Sequence, residues 1–376
     1  MLDSPPYPPR MSRRLLAIMA ALIATACSPA SVTSPSPLAQ TPSSGATESG
    51  SPVSPSAPAS GEPSASVLPA AWSEIGGEAP PAREDHTWTL DDDGRVAYLF
   101  GGRDGATVYG DLWAYDLNND TWTELAAAPG PEARFGHEAA WVDDVGLVVF
   151  AGQAGSRFFA DMWAFWPPDR TWRLLPAGGD APVARYGTCA AVGPDGRLWI
   201  SHGFTADGSR FADTRAYDFD AQAWTDETPD GDAPIERCLH GCWWTDDGAF
   251  ALYGGQTTGV TSLGDRWLMS NGGWSQVGGT APPERNLYAR ARLDGATLVF
   301  GGQSIDGGYL DDLWLLADGD DDATSVATSG PVPPARAGAE MVRDAIHERV
   351  LLFGGRDGDR TYADTWELRA EVVGGG

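Results

Sequence analysis

From Val96 the chain alternates short apolar runs with clusters of Gly, Asp and Asn. VAYLF, DLWAYD and TWTEL are rich in Val, Tyr, Phe, Trp and Leu, and they are separated by GGRDGATVYG and LNND. Runs of this length, bounded by turn-forming residues, predict β-strands rather than helices. The upstream segment PPAREDHTWTL supplies a fourth strand. A sheet this small cannot bury both of its faces alone, so it requires similar neighbours.

The neighbours are in the sequence. A P-x-[A/E]-R motif recurs with its arginine at Arg83, Arg134, Arg185, Arg237, Arg285 and Arg336, at intervals of 51, 51, 52, 48 and 51 residues. Each is followed by an apolar strand ending in small residues: LFGG, VFAG, ISHG, LYGG, VFGG and LFGG. A strand led by an aspartate comes next, at Asp111, Asp161, Asp213, Asp265, Asp312 and Asp364, and a Trp-bearing strand closes most units. The hexapeptide FGGRDG at Phe100–Gly105 and again at Phe353–Gly358 marks the first and sixth units, five periods apart. Six units of about fifty residues predict an all-β chain in a six-bladed β-propeller, with four antiparallel strands per blade.

The double glycine, the Asp-x-Trp strand and the spaced final Trp resemble the kelch repeat family over roughly residues 70–371. That resemblance implies a scaffold that hosts many activities, so it specifies fold more closely than function. The sixth unit lacks a Trp strand, whereas AAWSEI (Ala70–Ile75) stands unpaired ahead of the first unit. It is expected to become the outer strand of blade six and to cover an open edge. The fifth unit is the weakest, because DDATSVATSG replaces its Trp strand. All 16 tryptophans lie in the repeats, where blades packed face to face need large flat apolar groups. Trp113, Trp163, Trp267, Trp314 and Trp366 are therefore read as structural. The aspartate heading each third strand is expected to cap a turn through its own backbone.

The front of the chain has a different character. Arg13 and Arg14, an apolar run over Leu15–Ala24 and small residues before Cys27 predict a secretory signal over residues 1–26, with Met11 a second candidate start. Ala24-Thr25-Ala26-Cys27 resembles a bacterial lipoprotein cleavage box, which implies lipidation at Cys27; ordinary signal cleavage is the other reading. Residues 27–69 are dominated by Ser, Pro, Ala and Thr and are expected to form a disordered tether with a mean reach of about 35 Å. Residues 372–376 are expected to be a disordered tail. The protein is thus expected to be exported and anchored to the outer face of a bacterial membrane, or else secreted.

Charge removes some partners. Residues 1–69 are neutral, so the repeats hold all 27 net negative charges, and the chain contains no lysine. Nucleic acid and anionic lipid are repelled by such a surface. Schiff-base chemistry and a phosphate-loop lysine are likewise excluded.

In kelch-domain receptors the ligand face resembles a ring of residues just after each double glycine and around each Arg turn. The matching positions are Arg103, Gln153, Phe204, Gln256, Gln303 and Arg356, together with Arg83, Arg134, Arg185, Arg237, Arg285 and Arg336. Six convergent arginines repel one another unless carboxylates or an anion intervene; the other reading pairs each with a carboxylate of its own or the next blade. Arg103 and Arg356 adjoin across the closure point and are expected to form an anion-binding pair whose removal leaves the fold intact.

Histidine suggests a rival. His86, His137 and His240 each fall three residues after a repeated arginine, with Tyr288 at that place in blade five, and a ring of imidazoles can hold a metal. The kelch turn R-x-G-H, seen here as RFGH, offers a structural reading instead. Three cysteines remain in the repeats. Cys238 and Cys242, read as lying in one strand about 13 Å apart, are too distant to bridge. Cys189 and Cys242 have opposite parity, which facing blades require of a disulfide; pairing with Cys238, or a zinc site with His240, stays open. No acid–base or metal constellation rises above the repeat. The expectation is a non-catalytic, cofactor-free monomer that binds a protein or glycan with an acidic group. The alternative is a carbohydrate-active enzyme, either a sugar oxidase or a sugar epimerase.

Overall fold

The apolar runs form the strands that their pattern predicts, in a computed structural model that describes residues 70–126, 129–259 and 261–370. The signal segment 1–26, Cys27, the tether 27–69 and the tail 372–376 lie outside the described residues. The first four-stranded sheet comprises Thr87–Leu90, Val96–Phe100, Leu112–Asp116 and Thr121–Glu124, paired antiparallel in that order. Five further sheets repeat it, giving a six-bladed β-propeller.

Position within a blade explains the sequence pattern. The second strands, such as Gly146–Phe150 and Phe250–Tyr253, are buried on both faces because a blade lies on either side. They are correspondingly apolar without alternation. The fourth strands lie outermost, and Thr121–Glu124 is largely exposed apart from Trp122. An apolar cluster fills each of the six blade interfaces. Tyr98 and Phe100 meet Val149 and Phe165 between blades one and two, and Trp88 and Leu99 meet Leu351 and Phe353 between blades one and six.

Closure follows the sequence expectation. Ala70–Ile75 pairs antiparallel with Thr365–Ala370 along its whole length, from Ala70 opposite Ala370 to Ile75 opposite Thr365. Trp72 is buried and packs on Phe300 of blade five at 5.2 Å between ring centroids. Thr328–Ser329, in the link from blade five, adds in parallel to Ala70–Ala71 and covers the start of the closing strand. Blade five keeps only Thr324–Ser325 where the others have a Trp strand.

Removing Ala70–Ile75 deletes a buried Trp and exposes an unpaired strand edge. Loss of a large buried aromatic costs about 3–5 kcal/mol, so the truncated chain is expected to melt well below the full one in a thermal scan. Equal melting temperatures would show that this strand does not close the ring.

Candidate functional site

Six fully buried arginines form the frame on which the site is built. Arg83 donates from Nη1 and Nη2 to the two carboxylate oxygens of Asp111 at 2.7 and 2.8 Å. Its Nη1 also donates to the Gly101 carbonyl at 2.8 Å, and its Nε to the Pro81 carbonyl at 3.0 Å. The same clamp recurs as Arg134–Asp161, Arg185–Asp213, Arg237–Asp265, Arg285–Asp312 and Arg336–Asp364. Four of the guanidiniums also lie over a ring: Arg83 over Tyr109, Arg134 over Phe159, Arg185 over Phe211 and Arg336 over Tyr362. These arginines therefore do not line the mouth as ligand contacts. Every one is buried with its fork occupied, because each unit carries the matching carboxylate 27 or 28 residues on.

The aspartates do more than the expected turn-capping. Asp111 also accepts the indole N–H of Trp113 at 2.7 Å, and the same bond recurs at Trp163, Trp267, Trp314 and Trp366. In blade three Arg215 replaces the tryptophan and binds Asp213 at 2.9 Å. Burial raises the Asp111 pKa, but the bonds from Arg83 outweigh it and hold the carboxyl below its ordinary value.

The arginine backbone ties each blade to its neighbour. The second glycine N–H of one blade donates to the arginine carbonyl of the next, as in Gly102 to Arg134 at 2.9 Å, and Gly355 to Arg83 at 2.9 Å closes the circle. Gly101 adopts φ +64°, and a Cβ there would lie 2.6 Å from the Arg134 carbonyl oxygen; glycine is the easiest fit, though Ala151 and His202 hold the same positive φ in blades two and three. A second circle lies two residues beyond each arginine. Gly136 donates to Asp85, Gly187 to Gly136, Leu239 to Gly187, Leu287 to Leu239, Gly338 to Leu287 and Asp85 to Gly338, at 2.8–3.1 Å. Asp85, Leu239 and Leu287 take positive φ to complete it.

The mouth lies on the arginine-turn side of this inner circle. Arg103, Gln153, Phe204, Gln256, Gln303 and Arg356 are all brought there and stand half-buried around it. Each pairs through the backbone with the residue after a repeated arginine, as in Glu84 with Arg103 and Tyr186 with Phe204. Two sides differ. On one, Phe135, Tyr186, Phe204 and Phe158 follow one another edge to face at 5.1–5.7 Å, with Arg103 at 4.2 Å from the Phe135 ring centroid. On the other, Gln256, Gln303 and the buried Asn286 present amides.

Arg103 and Arg356 do converge, but on an internal carboxylate. Glu84 lies between them: Arg103 Nε is 3.1 Å from its Oε1, while Arg356 bonds its Oε2 and the Tyr309 hydroxyl. Arg103 also pairs with buried Asp85 at 3.2 Å, and Asp85 accepts the Tyr186 hydroxyl at 3.1 Å. The pair is thus not free to receive an anion while Glu84 is ionised. Burial, with Asp85 beside it, pushes Glu84 up to about 7 against the pull of both arginines.

The histidines form no metal-holding cluster among the described residues, although they border a narrow channel cavity. They turn sideways between blades: His86 packs edge-on to Phe353, His137 to Phe100 and His240 to His202, at 5.3–5.5 Å. Tyr288 donates to the Tyr253 carbonyl and accepts the Gly241 N–H, both at 2.8 Å. Cys189 and Cys242 are disulfide-bonded, linking blades three and four, which removes the zinc alternative. Cys238 is free and buried; it precedes the strand Gly241–Trp244 and bridges to Gln256 rather than sharing the strand with Cys242.

Sequence reasoning missed Glu84, Asp85, Phe135, Tyr186 and Tyr309. The signal was present, since the residue after each repeated arginine varies from unit to unit, reading Glu84, Phe135, Tyr186, Cys238, Asn286 and Ala337.

No curated protein is detectably similar to the chain. A family profile described as the KLHDC2/KLHL20/DRC7 Kelch-repeats domain matches residues 69–255 and 230–372. A kelch propeller supports a protein-binding module in general. The six clamped blades, the paired glycines and this match agree: the chain belongs to that kelch-repeat family.

Proposed function

We propose that the protein is a non-catalytic binding module that takes an acidic protein or glycan group at the channel mouth. The observation that carries this reading is the contrast around one ring. Six clamps hold the backbone alike in every blade, yet the half-buried side chains after the glycines are not uniform: Arg in blades one and six, Gln in two, four and five, and Phe in three. A rigid frame presenting variable aromatic, amide and guanidinium groups suits recognition. A net charge of −27 argues against nucleic acid as the partner. The module acts as a monomer outside the cytoplasm, tethered through a lipid on Cys27.

Glu84 sets the sign of the pH dependence. Its protonated form releases Arg356, while Arg103 stays with Asp85, so an acidic ligand is expected to bind more tightly as pH falls through about 7. Against a hit from a screen of acidic peptides and sugar acids, Glu84→Gln is expected to bind tightly at both pH 6 and pH 8. Arg356→Ala is expected to weaken binding tenfold or more, from loss of a charge-assisted bond of roughly 1.5–3 kcal/mol. Arg103→Ala is a poorer probe, because it leaves Asp85 buried without its partner. Affinity unchanged in Arg356→Ala, or a ligand that binds equally at both pH values in wild type, would contradict the proposal.

Anchoring is tested separately by Cys27→Ala. The variant is expected to leave the membrane fraction and to lose incorporation of labelled lipid. Membrane association equal to wild type would contradict attachment at this residue.

A further inference from the structure

We propose a second binding site, for a small organic cation bearing a primary ammonium group, at the channel end opposite the mouth. A cavity of about 340 Å³ opens there, lined by Thr89, Glu138, Trp243, Arg290 and Glu340 among others. That volume lies at the lower end of the range for small-molecule sites. The same two glutamates and Arg290 continue into a narrower cavity of about 60 Å³ that reaches the circle of hydrogen bonds at Asp85.

The three charged residues come from the innermost strands of blades two, five and six, where the other blades carry nothing comparable. Thr87, Cys189 and Gly241 stand at the level of Glu138 and Glu340 in blades one, three and four. A purely structural network would be saturated, as the six arginine clamps are. This one is not: Arg290 approaches Glu138 only to 3.8 Å, and Glu340 forms no ion pair among the described residues. The Arg290 and Glu138 side chains keep 22% and 19% of their exposure, and both line the cavity. Burial pushes Glu138 up to about 7 and Glu340 up to about 8, so the charge of this pair is poorly compensated in the free protein.

When both carboxyls are ionised, two carboxylates around one guanidinium leave one negative charge in excess, and a bound ammonium favours that ionised form. The rim has the same sign. Turns following the first strands carry Asp91–Asp93, Asp143, Asp144 and Asp247. The two arginines nearest the rim are already committed, Arg343 to Asp294 through both Nη atoms at 2.6 Å and Arg292 to Asp246 and Asp318. An acidic opening into a low-dielectric channel concentrates cations. A bare metal ion fits poorly, because the described residues offer no cluster of three ligands to hold one and the cavity is far larger than an ion. An ammonium group can donate separately to Glu138 and Glu340, while its carbon chain lies along Trp243.

Titration of the full-length protein with n-butylammonium, followed by calorimetry, tests the site, with 1-butanol, butyrate and calcium chloride as comparisons. Saturable binding of butylammonium alone is expected. Glu340→Gln is expected to weaken it at least tenfold while the variant still melts cooperatively, and Arg356→Ala, at the other end, is expected to leave it unchanged. Absence of saturable butylammonium binding, equal binding of 1-butanol, preferential binding of calcium, or full affinity in Glu340→Gln would overturn the assignment.

Discussion

Everything in this propeller hangs on a buried guanidinium repeated six times. An arginine taken out of water needs its donors satisfied, and an isolated buried charge would be prohibitive. Each unit meets that demand locally. An aspartate takes the fork, a carbonyl beside the small-residue pair takes a second bond from Nη1, and the chain two residues upstream takes Nε. Those three partners come from three different parts of one blade. The arginine therefore fixes the turn, the end of the second strand and the head of the third in one geometry.

The same residue also carries the connection between blades. Its carbonyl accepts the glycine N–H of the preceding blade, and the chain two residues on joins the inner circle of hydrogen bonds. Closure of blade six onto blade one uses the same bonds as every other junction, through Gly355 to Arg83 and Asp85 to Gly338. Because the clamp is complete in every unit, the positions beside it are released from structural duty. Arg103, Gln153, Phe204, Gln256, Gln303 and Arg356 can differ without loss of the frame. Glu84 and Asp85 show the other side of this freedom, since placing two acids at one turn draws both nearby arginines onto them.

Much of this was legible in the sequence. Strand content, blade number, the closing strand Ala70–Ile75 and the weak fifth unit follow from spacing and turn chemistry, which act locally. The roles of the repeated arginines were ambiguous because a side chain's direction is not written in its spacing; only the partner 27 or 28 residues away decides it. The histidines were open to two readings for a related reason, and the structural one holds. Their common offset from the arginine places them at one level, yet each ring packs on a ring of the neighbouring blade. Arg103 and Arg356 are neighbours as their spacing predicts, but the glutamate between them is set there by the backbone bridge of Glu84 to Arg103, a pairing that the spacing of the glycines does not encode. Glu138, Arg290 and Glu340 come from three blades, and their meeting in the channel depends on ring geometry that no local pattern encodes.

The central claim is that the repeated arginine holds the fold. Urea unfolding of Arg185→Lys tests it most directly. Lysine keeps the charge but lacks the planar fork that grips Asp213 with two bonds. Breaking a buried pair of this kind costs about 3–5 kcal/mol, so the midpoint is expected to fall by that equivalent with the denaturant slope unchanged. Gln256→Ala, at the mouth, is expected to unfold as wild type does. A stability of Arg185→Lys within about 0.5 kcal/mol of wild type, the ordinary range for a surface substitution, would contradict the account.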